Sequence, residues 1–350
     1  MKILLTGGAG YIGSHTAVAL ANSGHTPIIF DNFCNSQKSV LQRLEQIIQK
    51  PVTAIEGDVR KTALVEKILR EHQIDAVIHF AGLKAVGESV QKPIEYYANN
   101  VQGTISLLEA MRLASVKDLV FSSSATVYGD PQYLPIDEHH PLSATNAYGR
   151  SKLHIEEMLR DLAISDPAWR VMCLRYFNPV GAHQSGLIGE DPSGIPNNLM
   201  PFIQQVAVGT LPQLKIFGND YATIDGTGVR DYIHVMDLAE GHLAALDHLN
   251  QHPGWSTFNL GTGKGTSVLQ MIAAFERSTG VHIPYEFVPR RVGDIAACYA
   301  AVDQAKSDLG WATKRELEDM CSSAWKWQQY RSGQWFSLSR HQSYEFIDLS

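Results

Sequence analysis

The chain has 350 residues, 44% hydrophobic and 19% charged, with a formal net charge of −7. That balance describes a globular protein long enough for two domains, or for one large domain with an appendage. The acidic charge argues against a general nucleic-acid binder, no run approaches the roughly 20 apolar residues of a membrane span, and Met1–Leu5 is too short for a signal peptide.

Lys2–Thr6 reads as a short buried strand, followed by Gly7-Gly8-Ala9-Gly10-Tyr11-Ile12-Gly13 and a helix over Ser14–Asn22. Gly8, Gly10 and Gly13 fit the G-x-G-x-x-G pattern, whose glycines permit a tight turn, close approach of a pyrophosphate, and packing of helix on strand. The next strand, Thr26–Phe30, delivers Asp31 where a carboxylate would accept from the adenosine ribose hydroxyls, favouring NAD over NADP because a 2′-phosphate would be repelled. The alternation continues with helix Lys38–Gln49, strand Val52–Glu56, helix Thr62–His72, strand Asp75–Phe80, helix Pro93–Ala114 and strand Lys117–Ser122. Such repetition predicts a parallel, doubly wound sheet with helices on both faces and ligands at the carboxyl ends of its strands. Those ends carry Asp58-Val59, Phe80-Ala81-Gly82 and Ser122-Ser123-Ser124. Asp58 suits an adenine contact, Ala81 and Gly82 suit cofactor passage, and Ser124 suits the substrate.

A helix over Asn146–Ile164 places Tyr148 and Lys152 four apart, one turn from each other on the same face. Holding a tyrosine deprotonated near pH 7 needs about 4 kcal/mol of preferential stabilisation of the phenolate. A cation about 4–5 Å away supplies about 3–4 kcal/mol at an effective dielectric near 20. A surface pair on an amphipathic helix gives the same spacing, so the motif gains its meaning from the rest of the chain. The apolar faces of this helix and of Pro93–Ala114 suit core packing, with a surplus that suits a bundle with a second copy.

Strand Arg170–Tyr176 closes the first series, and Phe177–Pro201 is rich in Gly, Pro, Asn, Asp and Ser, as a substrate-enclosing loop would be. Asn197 and Asn198 open a helix whose free N–H groups favour an anion. Leu214–Phe217 reads as a strand and Asp225–Arg230 as a glycine-rich turn. Val235–Leu249 and Thr257–Leu260 read as a helix and a strand returning to the first domain, before a helix at Ser267–Thr279 and a strand at Ile283–Pro289. The expected division is 1–177 with about 233–260 as the dinucleotide-binding unit, and 178–232 with 261–350 as a smaller substrate unit. Arg230 and Arg291 suit a clamp on a diphosphate. The 14 histidines fall into no metal-binding pattern, Cys34, Cys173, Cys298 and Cys321 stand apart in a manner natural to a reducing cytoplasm, and the stretch 332–350 shows no periodicity.

Taken together, the glycine loop, Ser124-Ala125-Thr126-Val127-Tyr128-Gly129 and Tyr148-x-x-x-Lys152 resemble the extended short-chain dehydrogenase/reductases. More closely, His79 to Ser89, Arg175 to Ala182, Ile195 to Leu199 and Gly228 to Tyr232 resemble the UDP-glucose 4-epimerase family, to about Gln328. The resemblance implies a Rossmann-type fold, a tightly held NAD, UDP-glucose and UDP-galactose as substrates, and a homodimer. It implies that Tyr148, assisted by Ser124, takes the sugar 4-hydroxyl proton. To the cofactor site it assigns Gly7, Gly10, Tyr11, Ile12, Gly13, Asp31, Asn32, Asn35, Ser36, Asp58, Val59, Phe80, Ala81, Gly82, Lys84, Asn99, Ser122, Tyr148, Lys152 and Phe177. Around the UDP-sugar it places Lys84, Ser124, Tyr148, Asn178, Asn198, Leu199, Phe217, Arg230, Arg291, Asp294 and Cys298. Cys298 aligns with a site beside the sugar 2-position that holds tyrosine in some members, so its small side chain leaves space for an acetamido group and suits UDP-N-acetylglucosamine and UDP-N-acetylgalactosamine as well. Two other readings are a nucleotide-sugar 4,6-dehydratase, which would carry an Asp-Glu pair where Ala125 and Thr126 stand, and a non-catalytic NAD sensor, which has no need of Tyr148, Lys152 and Ser124 together.

Overall fold

The structure is a computed structural model that describes residues 1–192, 194, 196, 198–249, 251–291 and 293–333. Ile195 and Asn197 of the motif above, Val292 and the stretch beyond Gly333 lie outside the described residues. Strands β1 (Lys2–Thr6), β2 (Thr26–Asp31), β3 (Thr53–Glu56), β4 (Ala76–His79), β5 (Asp118–Ser124) and β6 (Arg170–Tyr176) form one parallel sheet. A later strand, Gly254–Leu260, adds outside β6, giving seven strands with the first strand of the chain, β1, near the middle. Ile3, Leu4 and Leu5 of β1 are all fully buried, as a strand covered on both faces requires.

Helices α1 (Tyr11–Asn22), α2 (Ser39–Ile48) and α3 (Thr62–Glu71) follow β1, β2 and β3. In α3 the buried residues are Val65, Ile68 and Leu69, the i, i+3, i+4 stripe of a helix lying on a sheet. α1 starts at Tyr11, inside the glycine motif and ahead of the expected Ser14. The segment expected as one helix from Pro93 is instead α5 (Pro93–Tyr96), a π-helical turn at Tyr97–Val101, and α6 (Gln102–Ala114), preceded by a short α4 (Val86–Gln91). In that wider turn Asn100 is buried and bonds both backbone groups of Leu83, its Oδ1 accepting from the N–H at 2.8 Å and its Nδ2 donating to the carbonyl at 3.0 Å. α7 (Ala147–Ser165) is capped by the Asn146 side chain, which accepts from the Gly149 N–H at 2.8 Å.

A smaller group of strands stands beyond the carboxyl edge. β7 (Asn178–Val180), β8 (Leu214–Phe217) and β9 (Val229–His234) are joined by α8 (Leu199–Ala207), and the chain then returns through α9 (Val235–Leu249) to β10 (Gly254–Leu260) of the large sheet. β11 (Gly265–Ser267), α10 (Val268–Thr279), β12 (Tyr285–Val288), β13 (Ala297–Cys298), α11 (Asp303–Asp308) and α12 (Leu317–Arg331) complete the described chain. β9 pairs with β7, β11 and β13, so Arg230 sits on a strand rather than at the end of the expected turn. Ser267 is the cap of α10 rather than its first residue, its hydroxyl and the Gln270 side chain each satisfying a backbone N–H. Separate apolar cores fill the two faces of the large sheet and the space among β8, α8, α10 and α12. Among the described residues no helix is long and apolar enough to cross a membrane, and no group of side chains could hold a metal ion.

Candidate active site

β1 runs straight into its glycines. Gly7 has φ +68°, and a Cβ there would stand 2.7 Å from the Ala81 nitrogen; a Cβ on Gly13 would stand 2.6 Å from the Gly7 carbonyl oxygen. On Gly10 an added Cβ would meet only the Gly7 oxygen, at 3.2 Å, so this glycine's other side is open. The Asp31 carboxylate is buried and closes the loop: Oδ2 accepts from the Ala9 N–H at 3.0 Å, and Oδ1 accepts from the Phe33 N–H at 2.8 Å and the Ser36 hydroxyl at 3.1 Å. A pyrophosphate against Gly10 and the start of α1, with a ribose near Asp31, suits this cradle, so the residues present fit a dinucleotide. Asn32 and Asn35 are exposed beside it. Asp58 is engaged by Arg60 at 2.9 and 2.5 Å, which holds its carboxyl below the usual range, while Val59 next to it belongs to the core. Phe80 packs 4.9 Å from His242. Tyr11 donates to the Gly181 carbonyl at 2.6 Å, tying the loop to the strand beyond Phe177.

β5 extends two residues past its expected end, bringing Ser123 and Ser124 onto the strand. Tyr148 is near the start of α7, and a hydrogen bond from Ser124 favours its ionised form. Burial outweighs that bond and pushes the phenol above its ordinary value. Lys152 stands one turn further along α7 and is buried. Its ammonium donates to the Ser122 carbonyl at 2.6 Å, 4.8 Å from the centre of the Phe121 ring, and would be 3.8 Å from a Cβ on Gly82. Burial pushes this lysine down to about 8, against Cys173 and Glu156, which raise it. With the protein's own groups the phenol lies above its ordinary value, because desolvation exceeds the stabilisation from Ser124.

The diphosphate-clamp candidates lie across the carboxyl edge. Arg291 stacks 4.6 Å over Phe217 and pairs with Asp294 at 2.9 Å. Burial and Asp294 raise the Tyr221 phenol, while Arg290, Arg230 and Arg291 all lower it, which gathers Arg230, Arg291 and Asp294 around one ring. Tyr221 carries no sequence signal, and Arg290, which the sequence marks only as the neighbour of Arg291, stacks on it at 4.0 Å. Lys84 and Asn198 both reach Glu190, at 3.4 and 2.7 Å, another residue without a sequence signal. Leu199 opens α8 directly after Asn198, Asn178 opens β7 opposite Tyr232, and Asn99 lies in the π-helical turn. Cys298 is paired in register with Arg230 and packs in one cluster with Val127, Tyr128 and Phe177, so it stands beside the segment following Ser124. Burial pushes its thiol up to about 11.

Over residues 4–324 the chain matches the protein family described as GDP-mannose 4,6 dehydratase. It is 58% identical over 328 residues to a UDP-glucose 4-epimerase of Bacillus subtilis (strain 168), spanning 94% of this chain and 97% of that one. It is similar to the crystal structure of a UDP-glucose 4-epimerase from Stenotrophomonas maltophila with bound NAD and formylated UDP-arabinopyranose, with a TM-score of 0.94 at 50% identity over 95% of this chain and 99% of that one. The corresponding enzyme from Bifidobacterium longum, in complex with NAD+ and UDP, gives 0.92 at 54% identity over 95% and 99%.

Proposed function

Because the chain belongs to the UDP-glucose 4-epimerase family, we propose that it interconverts UDP-glucose and UDP-galactose through a 4-keto sugar, with NAD retained between turnovers. The observation that carries this reading is the meeting of Ser124, Tyr148 and Lys152 at the carboxyl edge, one strand from the glycine cradle. When bound, NAD supplies the acceptor and donor of hydride for sugar C4. Gly7, Gly10, Gly13, Tyr11 and Ile12 would hold its pyrophosphate, Asp31 with Asn32, Asn35 and Ser36 its adenosine ribose, and Lys152 and Asn99 its other ribose.

Tyr148 takes the 4-hydroxyl proton and later returns it. Since burial raises the phenol, its ionisation depends on positive charge brought close when the site is filled, and Lys152, held by Ser122, is the protein's share of that charge. Ser124 donates to the phenolate and orients the hydroxyl. Arg230, Arg291, Asn178, Asn198 and Leu199 hold the nucleotide end, with Phe217 against the base. Anchoring by a part that does not react leaves the sugar free to turn and present its other face. Asp294 accepts from Arg291 Nε at 2.9 Å. Residues 178–232 with the described part of 261–350 would form the substrate unit, and 1–177 with about 233–260 the cofactor unit.

Cys298 lies within packing distance of this site, and a residue of its size supports an additional activity on the N-acetylated UDP-hexoses. Val90, Ile94 and Ile105 on α4, α5 and α6 are exposed, and a second copy of the chain is the partner that suits them. The dehydratase alternative requires acidic groups after Ser124, where Ala125 and Thr126 stand. The test is to incubate the purified protein with UDP-galactose, assay UDP-glucose, and denature a sample to look for released NAD. Absence of both product and cofactor would sink the proposal.

A further inference from the structure

Glu156 continues the stripe that Tyr148 and Lys152 begin, one further turn along α7, and its side chain is 1% exposed. The three successive serines that end β5 meet the three members of this stripe one to one. The Ser122 carbonyl accepts from Lys152 at 2.6 Å, the Ser123 hydroxyl donates to Glu156 Oε1 at 2.5 Å, and the Ser124 hydroxyl bonds Tyr148. The other side of the Glu156 carboxylate takes the Arg175 guanidinium, Nη2 to Oε2 at 2.7 Å and Nε to Oε1 at 3.1 Å, and Arg175 faces Ser123 across the β5–β6 register. Arg175 Nη1 in turn donates to the Tyr128 hydroxyl at 3.0 Å and the Glu138 carbonyl at 3.2 Å.

Resting on the epimerase reading above, we propose that Glu156 is a positioning residue of the reaction: by clamping Ser123 and Arg175 it fixes the strand end from which Lys152 and Tyr148 take their orientation. The placement is specific. Ser123 lies between the residue that holds Lys152 and the residue that holds Tyr148, so a shift of Ser123 moves both contacts together. A loss of geometry there affects chemistry more than binding, because the nucleotide end is held elsewhere. Glu156 also acts on the charge of Lys152. The titratable groups acting on that ammonium are Glu156 from its own helix, Cys173 from β6 and His79 from β4, and Glu156 and Cys173 favour its charged form. The groups facing Glu156 are Arg175 and Cys173, both from β6.

The experiment uses the NAD-loaded enzyme and compares wild type with Glu156→Gln, with Glu156→Asp, and with Glu156→Gln combined with Arg175→Gln, which leaves no unpaired buried charge if the single variant does not fold. Wild-type turnover of UDP-galactose comes first; its absence refutes the epimerase reading, whereas turnover with an unaffected variant refutes only the role of Glu156. We expect folded, NAD-retaining Gln variants to lose about tenfold or more in kcat at nearly constant KM. In the single Gln variant the alkaline limb of kcat, governed by Lys152, should move down by about half a pH unit, because a charge that favoured the ammonium is gone. In Glu156→Asp, which keeps the charge, the limb should stay in place while part of kcat returns. The proposal is overturned by wild-type kcat with an unmoved limb in any folded Gln variant. It is equally overturned by a kcat loss that follows the unfolded fraction while the limb stays put.

Discussion

Gly7 and Gly24 offer a matched pair for testing whether the cradle holds the cofactor. Both have positive φ, +68° and +80°, so alanine at either carries a backbone cost of roughly 1–2 kcal/mol. At Gly24 an added Cβ meets nothing within 4 Å, whereas at Gly7 it stands 2.7 Å from the Ala81 nitrogen and 2.9 Å from its Cα. Restoring ordinary contact there requires about 0.7 Å of separation between the ends of β1 and β4, where the atoms are backbone and cannot swing aside. Gly24→Ala should therefore lose roughly 1–2 kcal/mol of stability and keep its NAD. Gly7→Ala should lose at least as much stability and, in addition, most of its bound NAD. Denaturant unfolding gives the first quantity; the absorbance of nucleotide released from denatured, desalted protein gives the second. Equal NAD content in the two variants would refute the argument, because it would mean that the Gly7–Ala81 approach is not part of the cofactor cradle.

Tyr148→Phe should lose about 10²–10⁴ in kcat while retaining NAD, since only the proton-accepting oxygen is removed; product formation from UDP-galactose checks this. Lys152 has a folded value near 8, below that of a free lysine, so above pH 8 the unfolded chain holds a proton that the folded one has lost, and stability rises with pH in that window. The melting temperature of wild type should accordingly gain on that of Lys152→Met between pH 8 and about 10, and parallel curves would contradict it. Cys298→Tyr should lower kcat/KM for UDP-N-acetylglucosamine by about tenfold or more while leaving UDP-glucose nearly unchanged; equal rejection of the N-acetyl sugar by both forms would exclude the space argument. Ile94→Glu should shift the protein toward monomer in sedimentation, because it places a charge on the exposed apolar face.

The sequence was most informative where period and chemistry coincide. The parallel sheet was legible because its strands are short apolar runs separated by amphipathic helices, and Asp31 fell at a strand end where a carboxylate has few other reasons to stand. What escaped lies where contacts join distant segments. The π-helical turn gives no periodic signal distinct from an α-helix, although its Asn100 reaches Leu83. Glu190 sits in a loop rich in turn residues, and although Asn198 is only 8 residues away, its grip on Lys84 joins segments 106 residues apart. The phenol–ammonium pairing was inferred from helical spacing alone. Spacing places two side chains on one face, but it does not say that the Ser122 carbonyl competes for the ammonium, nor how far burial raises the phenol. Glu156 was within reach of the same reasoning, four residues past Lys152, had buried carboxylates been sought on that face.

The route of the chain between the seven-stranded sheet and the smaller strands has a mechanical meaning. It crosses at Phe177, again between His234 and Val235, and again over 261–264. A lobe joined by one strand can swing as a door; a lobe stitched at three places, two of them to strands of the seven-stranded sheet and one to α9, has no free axis. Wide opening would have to pull β10 from the sheet edge or unseat α9 from α1. The space between the sheets is thus open to small sliding rather than rotation. For the proposed reaction, such a frame would leave the reorientation that exposes two faces of one carbon to the bound molecule, with the protein serving as a stationary fixture.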